Sequence, residues 1–485
     1  MDVDLTAKEP AIGDILKLES ISHCGSQLHM SYCFSSGLSF TTTLWYPFQL
    51  EELDSKYGIS FMEEVYFHCA LFEMNKLCTL APSLKYIDLG TYSTFLTKGL
   101  EELWRILSAK AFGEWRFLHN LPNWKGPKFC MTEQSSTTSE SKNPAISIEG
   151  GPVQCLVFCG GGKDSLASMK LLEEIGEPFH SLSYALSIYG SAQLQHSLTD
   201  SLVKHTASKK HHRVTLIDTF SSSPLPSAIP NAEVKSVICA ETPSTIFEGL
   251  PFALMYGYTQ FCLAHERSAN KGNLVWDVNS EEINHQWVKS YNGEILITSY
   301  IKENLISNLA YFSSLMPIHD PLIFYSIAPY TAAIPFTHSC NQRKPWCLRC
   351  PKCCYVWLGY SAYFSEATVH ATFGNENLLD VEENQLFFTQ MLGLGEQIPF
   401  ECIGQVDEIR MAFQFCHLKG IKGKAMAVFE AKVAAQFDAQ KLDIASKFGK
   451  VYTHDICIPE SLAERLLLKL GEISERFQDK MLKLL

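Results

Sequence analysis

The chain has 485 residues, of which 46% are hydrophobic and 19% are charged, and its formal net charge is −12. This composition is typical of a globular protein with two or three domains, and the acidic balance disfavours nucleic acid as a general partner. No apolar run reaches about 18 residues, and the first residues, Met1 to Asp4, are acidic. We therefore expect neither a membrane span nor a secretory signal.

Seventeen cysteines are scattered along the chain, many of them in apolar segments. That distribution favours free thiols in a reducing compartment over a framework of disulfides. Because no export signal is predicted either, we expect a cytoplasmic protein.

The N-terminal part, residues 1–130, is predicted to form an α+β domain. Its predicted elements are a hairpin of two strands followed by two helices, at 27–34, 38–45, 61–74 and 93–117. The strands are rich in β-forming residues and are joined by a Ser-Ser-Gly turn, whereas the helices have apolar residues at helical spacing. A polar, low-complexity segment, 131–150, is predicted to be a linker.

Residues 151–335 alternate strands and helices, which predicts an α/β fold with a doubly wound parallel sheet. The predicted strands are 155–159, 181–186, 214–218 and 273–276. Before the fourth strand, Thr242 as N-cap and Pro243 in the first turn predict a helix that extends to about His265. A Cys-rich metal module with a substrate region, 336–420, and a C-terminal helical tail, 421–485, complete the predicted organisation.

A glycine-rich turn follows the first strand of this block: Gly160, Gly161, Gly162, Lys163, Asp164 and Ser165. Glycines let backbone N–H groups approach an anion closely, and the N-terminus of the next helix adds partial positive charge. Lys163 and Ser165 add donors to phosphate, and Asp164 is suited to hold Mg²⁺. The spacing is neither that of a Walker A loop nor that of a dinucleotide-binding loop.

Two later segments contain candidate acid–base groups. His285 follows the predicted fourth strand and is a candidate general acid or base, and Lys289 is a candidate clamp for carboxylate or phosphate. Glu401 and Cys402 lie among apolar residues beside a glycine, an environment that is expected to raise the pKa of both groups. An ordinary turn with a core cysteine is the alternative interpretation of this second segment.

Four cysteines, Cys340, Cys347, Cys350 and Cys353, have a Cys-x6-Cys-x2-Cys-x2-Cys spacing that suits a closed, structural Zn²⁺ site. Cys354 or His338 are alternative ligands, an iron–sulfur cluster also fits the count, and free buried cysteines are the non-metal alternative. The surrounding basic residues predict a positively charged lip for an anionic substrate. They are Arg343, Lys344, Arg349 and Lys352.

The glycine loop resembles the signature of the N-type ATP pyrophosphatases, or PP-loop enzymes, usually Ser-Gly-Gly-x-Asp-Ser/Thr, with Gly160 in place of the first serine. A set of motifs that spans roughly residues 20–420 is similar, in the same order, to the UDP-N-acetylmuramoyl-L-alanyl-L-glutamate epimerases of the MurL type. The motifs lie at 160–165, 266–269, 284–290, 346–353, 373–379 and 399–404.

This resemblance implies an adenine nucleotide alpha-hydrolase-like fold and an ATP- and Mg²⁺-dependent isomerase of peptidoglycan precursor synthesis. The terminal L-glutamate of a UDP-linked muramoyl dipeptide would be adenylated with release of pyrophosphate, deprotonated, reprotonated on the opposite face and freed as D-glutamate with AMP. It implies that residues 160–165 hold the nucleotide and that His285, Glu401, Cys402 and Lys163 are catalytic. Substrate contacts would come from Arg267, Asn284, Gln286 and Lys289.

The alternative is another PP-loop adenylating enzyme. A 7-cyano-7-deazaguanine synthase-like ligase also pairs such a loop with a four-cysteine zinc site, but the N-terminal 125 residues argue against it. A tRNA-modifying enzyme would need a more basic surface. A non-catalytic adaptor that kept the zinc module is a third possibility.

Overall fold

A ten-stranded sheet runs through the computed structural model, which describes residues 13–80, 84–130, 143–220 and 241–484. The strands within these residues are β1 Ile15–Cys24, β2 Gln27–Phe34, β3 Ser39–Trp45, β4 Tyr86–Asp88, β5 Lys128–Phe129, β6 Cys155–Phe158, β7 Phe179–Leu186, β8 His211–Asp218, β9 Gln260–Leu263, β10 Leu274–Trp276, β11 Glu281–Ile283 and β12 Ala310–Ser313. The order in the large sheet is β12-β9-β6-β7-β8-β3-β2-β1-β4-β5.

Five strands of this sheet, β12, β9, β6, β7 and β8, are all parallel. Both faces of β6 are buried, as expected for a central parallel strand. Among these five strands, the chain passes first through β6, then outward through β7 to β8, and then returns to β9 on the other side of β6. The carboxyl ends of β6 and β9 therefore flank a switch point, where such sheets form a crevice for ligands. The mixed α/β class predicted from the sequence is confirmed.

The predicted end of the helix after Thr242 and the predicted fourth strand are wrong. The helix stops at Tyr256, where Gly257 has a φ of 72°. The next four residues, Gln260–Leu263, form β9, and Leu274–Trp276 instead pairs with Glu281–Ile283 in a separate two-stranded antiparallel sheet. The error has a physical reason, because a short apolar run has no periodicity that separates a buried strand from a helix.

The N-terminal strands extend the same sheet. The predicted hairpin is confirmed, with Gln27 opposite Trp45 and Cys33 opposite Ser39. β3 then pairs antiparallel with β8, so strands β1 to β3 and the parallel strands share one sheet and one hydrophobic core. The predicted domain boundaries stay a prediction. Most of the predicted linker, 131–142, lies outside the described residues.

Helices cover the sheet and form the C-terminal part. They are α1 Leu50–Tyr57, α2 Ile59–Leu77, α3 Lys98–Ala111, α4 Gly113–Leu118, α5 Lys163–Glu174, α6 Ala192–Val203, α7 Glu241–Tyr256, α8 Tyr291–Asn304, α9 Asp320–Ile327, α10 Pro351–Tyr363, α11 Glu366–Phe373, α12 Gln385–Met391, α13 Val406–Leu418, α14 Lys424–Lys432, α15 Ala434–Phe448 and α16 Glu460–Leu484. Within the described ranges, none of them is both long and apolar enough to cross a bilayer.

Candidate functional site

A cavity of about 320 Å³ lies at the switch point. Its wall includes the glycine loop after β6, Tyr184 at the end of β7, and His265 just beyond β9. Lys344, from the loop before α10, and Cys402, from the loop before α13, also line it. Segments far apart in the chain therefore meet where the strand order alone predicts a ligand site.

The glycine loop presents backbone to this cavity. Gly160 and Gly162 line it, and a side chain at Gly160 would meet nothing within 4 Å. Gly161 has a φ of 84°, and a Cβ there would lie 2.2 Å from Nε2 of His338, so only glycine fits. Ser165 lines the cavity, and its Oγ accepts a 3.0 Å hydrogen bond from the Gly160 N–H. No side chain caps α5 at Gly162, which leaves the helix N-terminus suited to an anion.

Lys163 points away from the cavity wall. Its Nζ lies 2.5 Å from Oδ1 of Asp164 and 2.5 Å from Oδ1 of Asp320, and the side chain is almost fully buried. Burial lowers the pKa of Lys163, but the two carboxylates outweigh burial and raise it above its usual range. The ammonium is thus bound in a buried ion pair, and its predicted contact with phosphate stays untested.

Three other lysines face the cavity instead: Lys289, Lys344 and Lys352. Two of them belong to the basic lip predicted from the sequence. Arg349, by contrast, donates to the carboxylate of Glu376 on the exposed side, with Nη1 2.9 Å from Oε2. The positive charge of the cavity wall therefore comes from three lysines outside the glycine loop.

The structure brings together the three residues predicted for proton transfer. A ring nitrogen of His285, a carboxylate oxygen of Glu401 and Sγ of Cys402 all lie within 4.8 Å of one another. Lys289 donates from Nζ to Sγ of Cys402 at 3.0 Å, and Nδ1 of His285 contacts Oε2 of Glu114. Of the predicted three, Cys402 lines the cavity directly.

This arrangement determines the charges of the cluster. Burial raises the pKa of the Cys402 thiol, but the Lys289 ammonium and the hydrogen bond to His285 lower it well below its usual range. Burial lowers the pKa of His285, but Glu114 and Cys402 raise it to about 10. The cluster is therefore a thiolate–imidazolium pair. The expected rise in the pKa of Cys402 is wrong, because Lys289 and His285 lower it and nothing in the sequence places these distant residues beside the cysteine. The expected rise in the pKa of Glu401 is confirmed.

The remaining predicted substrate residues lie elsewhere. Asn284 is buried and uses its amide on the backbone, donating to the Ala269 carbonyl at 2.8 Å. The Gln286 amide faces the Ile403 carbonyl at 3.5 Å. Arg267 donates to the backbone carbonyl of His454 at 2.8 Å, in the C-terminal part of the chain. None of these three lines the cavity in the described part of the chain, and their predicted contacts with substrate stay untested.

Several residues of the site carry no signal in the sequence. Glu114 is in α4, 171 residues before the histidine that it contacts. Asp320 starts α9, accepts from the buried Tyr355 hydroxyl and neutralises Lys163. His265 is different, because it follows an apolar run that forms strand β9, and this position after a strand could have indicated a site residue.

The four predicted metal ligands form a compact group. The ligand atoms of Cys340, Cys347, Cys350 and Cys353 all lie within 4.8 Å of one another, with Sγ–Sγ distances of 3.9 Å for Cys340–Cys350 and 3.7 Å for Cys347–Cys353. Zn–S bonds of about 2.3 Å give a tetrahedron with edges of about 3.8 Å. In an iron–sulfur cluster the four cysteines are divided between two or four irons, so their sulfurs do not all lie this close together. The geometry thus fits one tetrahedral ion.

Fold and site together define a mixed α/β protein with a large, mostly parallel sheet, a lysine-lined cavity at its switch point and a neighbouring group of four cysteines. The profile of the MurL N-terminal domain matches residues 20–314, and that of the MurL C-terminal domain matches residues 334–445. The chain therefore belongs to the MurL family.

Three curated relatives share the name UDP-N-acetyl-alpha-D-muramoyl-L-alanyl-L-glutamate epimerase. The protein from Micromonospora sp. is 28% identical, over 55% of this chain and 57% of its own length. The proteins from Salinispora tropica and Xanthomonas oryzae pv. oryzae are 25% and 26% identical, each over 62% of this chain and over 62% and 63% of their own lengths. The alignments thus span about three fifths of the relatives they match.

Proposed function

We propose that this protein is an epimerase that inverts the terminal L-glutamate of UDP-N-acetylmuramoyl-L-alanyl-L-glutamate in peptidoglycan precursor synthesis. The observation that supports it most directly is the position of Cys402. Its sulfur, paired with His285 and Lys289, lies on the wall of the same cavity as the glycine loop. A proton-transfer group and an anion-binding loop thus share one cavity, in a chain whose family relatives are named for this epimerisation.

The residues present fit ATP with Mg²⁺. The open backbone at Gly160, the uncapped start of α5 and the three lysines suit phosphates, and the carboxylates of Asp164 and Glu241 on the same wall suit a hard cation. ATP would supply the adenylyl group that converts the substrate carboxylate to an acyl-adenylate, with release of pyrophosphate. That conversion removes a negative charge beside the α-carbon and so makes its proton easier to remove.

The protein's own groups then have distinct tasks. Gly160, Gly162 and Ser165 bind phosphate oxygens, and Lys344 and Lys352 neutralise anionic groups in the cavity. Cys402 exchanges a proton with the α-carbon, and Lys289 and His285 stabilise its thiolate. Glu401, whose pKa is raised by burial, is a further proton donor at the edge of the cluster. Lys163, in the ion pair with Asp320, holds the loop rather than the ligand.

A Ser165→Ala variant tests the nucleotide site. Loss of one hydrogen bond to a charged oxygen is worth about 1.5–3 kcal/mol, so pyrophosphate release with ATP, Mg²⁺ and the L-glutamate-ended nucleotide should slow by roughly 10- to 100-fold. Ser201→Ala, on the exposed side of α6, is the matched control and should keep the wild-type rate. Unchanged release in Ser165→Ala, or ADP as the product of the wild-type protein, would contradict the proposal.

We also propose that Cys340, Cys347, Cys350 and Cys353 hold one structural Zn²⁺. Backbone N–H groups point at the sulfurs, for example from Gln342 to Cys340 at 3.3 Å, as expected around thiolates. The four protein ligands complete the tetrahedron, so this ion would have no open position for catalysis. Its role is to fix the loop that bears Lys344.

A further inference from the structure

His265 is a cavity residue to which the proposed function has given no task. It lies two residues beyond β9, the neighbour of β6, and lines the same cavity as Cys402 and the glycine loop. Its Nδ1 is buried, and neither ring nitrogen has a hydrogen-bond partner among residues 13–80, 84–130, 143–220 and 241–484. Because Nδ1 has almost no accessible surface, a substrate in the cavity can reach the ring only at Nε2.

Four other ionisable groups of the cavity wall already have hydrogen-bond partners. The pairs are Asp164 with Lys163 at 2.5 Å, Glu241 with Tyr189 at 2.8 Å, His338 with Thr199 at 3.5 Å and Lys289 with Cys402 at 3.0 Å. His265 therefore differs from these neighbours in being free to accept a proton. An imidazole is also the side chain best suited to exchange a proton near neutral pH.

The electrostatics leave both candidate groups without a proton and place one on His285, beside Cys402. Burial, and then the charge of Lys289, lower the pKa of His265 well below its usual range, so the ring is neutral and has a lone pair that can accept a proton. Cys402 and His285 together hold one proton, because Glu114 and the cysteine itself stabilise the imidazolium. Inversion at a carbon needs one group that can take a proton and another that can give one.

We propose that His265 and Cys402 are the two proton-transfer residues, His265 removing the α-proton of the activated L-glutamyl group and Cys402 returning a proton to the opposite face. This inference rests on the proposed function. The C–H bond breaks, its electron pair stays on the substrate, and an N–H bond forms on His265. The S–H bond of Cys402, with its proton taken from His285, then breaks as the new C–H bond forms. Exchange with solvent restores both side chains.

The test uses the L-glutamate-ended nucleotide deuterated at its α-carbon, with ATP and Mg²⁺ in ordinary water. The full-length wild-type protein should lose the deuterium and form the D isomer. His265→Asn should release pyrophosphate but lose deuterium at least about 100-fold more slowly, since general base catalysis contributes about 10²- to 10⁴-fold. Cys402→Ala should still exchange the deuterium through His265 but form no D isomer.

The assignment would be overturned if His265→Asn lost the deuterium as fast as the wild type, or if Cys402→Ala lost none. Pyrophosphate release reports whether each variant is folded and competent for activation, and His265→Gln is a second variant if the first is unstable. His196→Asn is the matched control, because His196 bonds Thr215 outside the cavity and should behave as wild type. If the wild-type protein forms no D isomer at all, the proposed function fails instead.

Discussion

At the scale of single residues, the charges around Cys402 depend on contacts between distant parts of the chain. Lys289 and His285 lie in the segment after β11, and Cys402 lies in the loop before α13. Glu114 lies in helix α4, in the N-terminal part of the chain. Glu114 reaches neither the cavity nor the sulfur in the described contacts, so we treat it as a positioning residue. Its carboxylate keeps His285 protonated, and His285 in turn keeps the cysteine ionised.

Replacing Glu114 by Gln should reveal this contact in the pH dependence of stability. The folded-state pKa of His285 is raised from 6.5 to about 10, so its pairing stabilises the protein fully below pH 6.5, and the stabilisation is lost as pH rises to about 10. The difference in thermal midpoint between wild type and Glu114→Gln should therefore be largest near pH 6 and shrink towards pH 10.

Glu102→Gln is the matched control for this measurement. Glu102 bonds Arg105 on the exposed face of α3, where an ion pair is worth little, and its loss should change the midpoint only slightly. If the difference in thermal midpoint between wild type and Glu114→Gln stays constant or grows with pH, Glu114 and His285 do not interact in this way.

At the scale of elements, one loop joins the proposed metal site to the cavity. The segment between the 3₁₀ helix Ile334–Phe336 and α10 contains Cys340 and Cys347 and also supplies Ser339, Asn341 and Lys344 to the cavity wall. α10 then begins at Pro351, with Cys350 as its N-cap accepting from the Cys353 N–H. A metal ion bound to the four sulfurs would fix this loop against the start of the helix.

Cys350→Ser should therefore lose both metal and activity. Native mass spectrometry should find one zinc per chain in the wild type and none in the variant. Because structural zinc binding is worth on the order of 10 kcal/mol, the thermal midpoint should fall strongly, and chelation should have the same effect on the wild type. Cys354→Ala is the control, since that neighbouring thiol lies outside the four-sulfur group. Zinc retained by Cys350→Ser, or lost from Cys354→Ala, would contradict this ligand set.

At the scale of the whole molecule, local patterns predicted more than long-range pairing. The glycine loop between a strand and a helix and the hairpin of β2 and β3 follow from neighbouring residues and are confirmed. The pairing of β3 with β8 joins residues 170 to 176 positions apart in the chain, and no periodicity encodes it. The same limit applies to the site: His285 and Cys402 are recognisable from the sequence, but the contacts that set their charges are not.

The chirality of the product tests the central claim most directly. The purified protein is incubated with ATP, Mg²⁺ and UDP-N-acetylmuramoyl-L-alanyl-L-glutamate, and the glutamate released by acid hydrolysis is resolved on a chiral column. We predict that D-glutamate accumulates only when ATP is present and that AMP and pyrophosphate form with it. Recovery of L-glutamate alone, while ATP is cleaved or while it is untouched, would contradict the account.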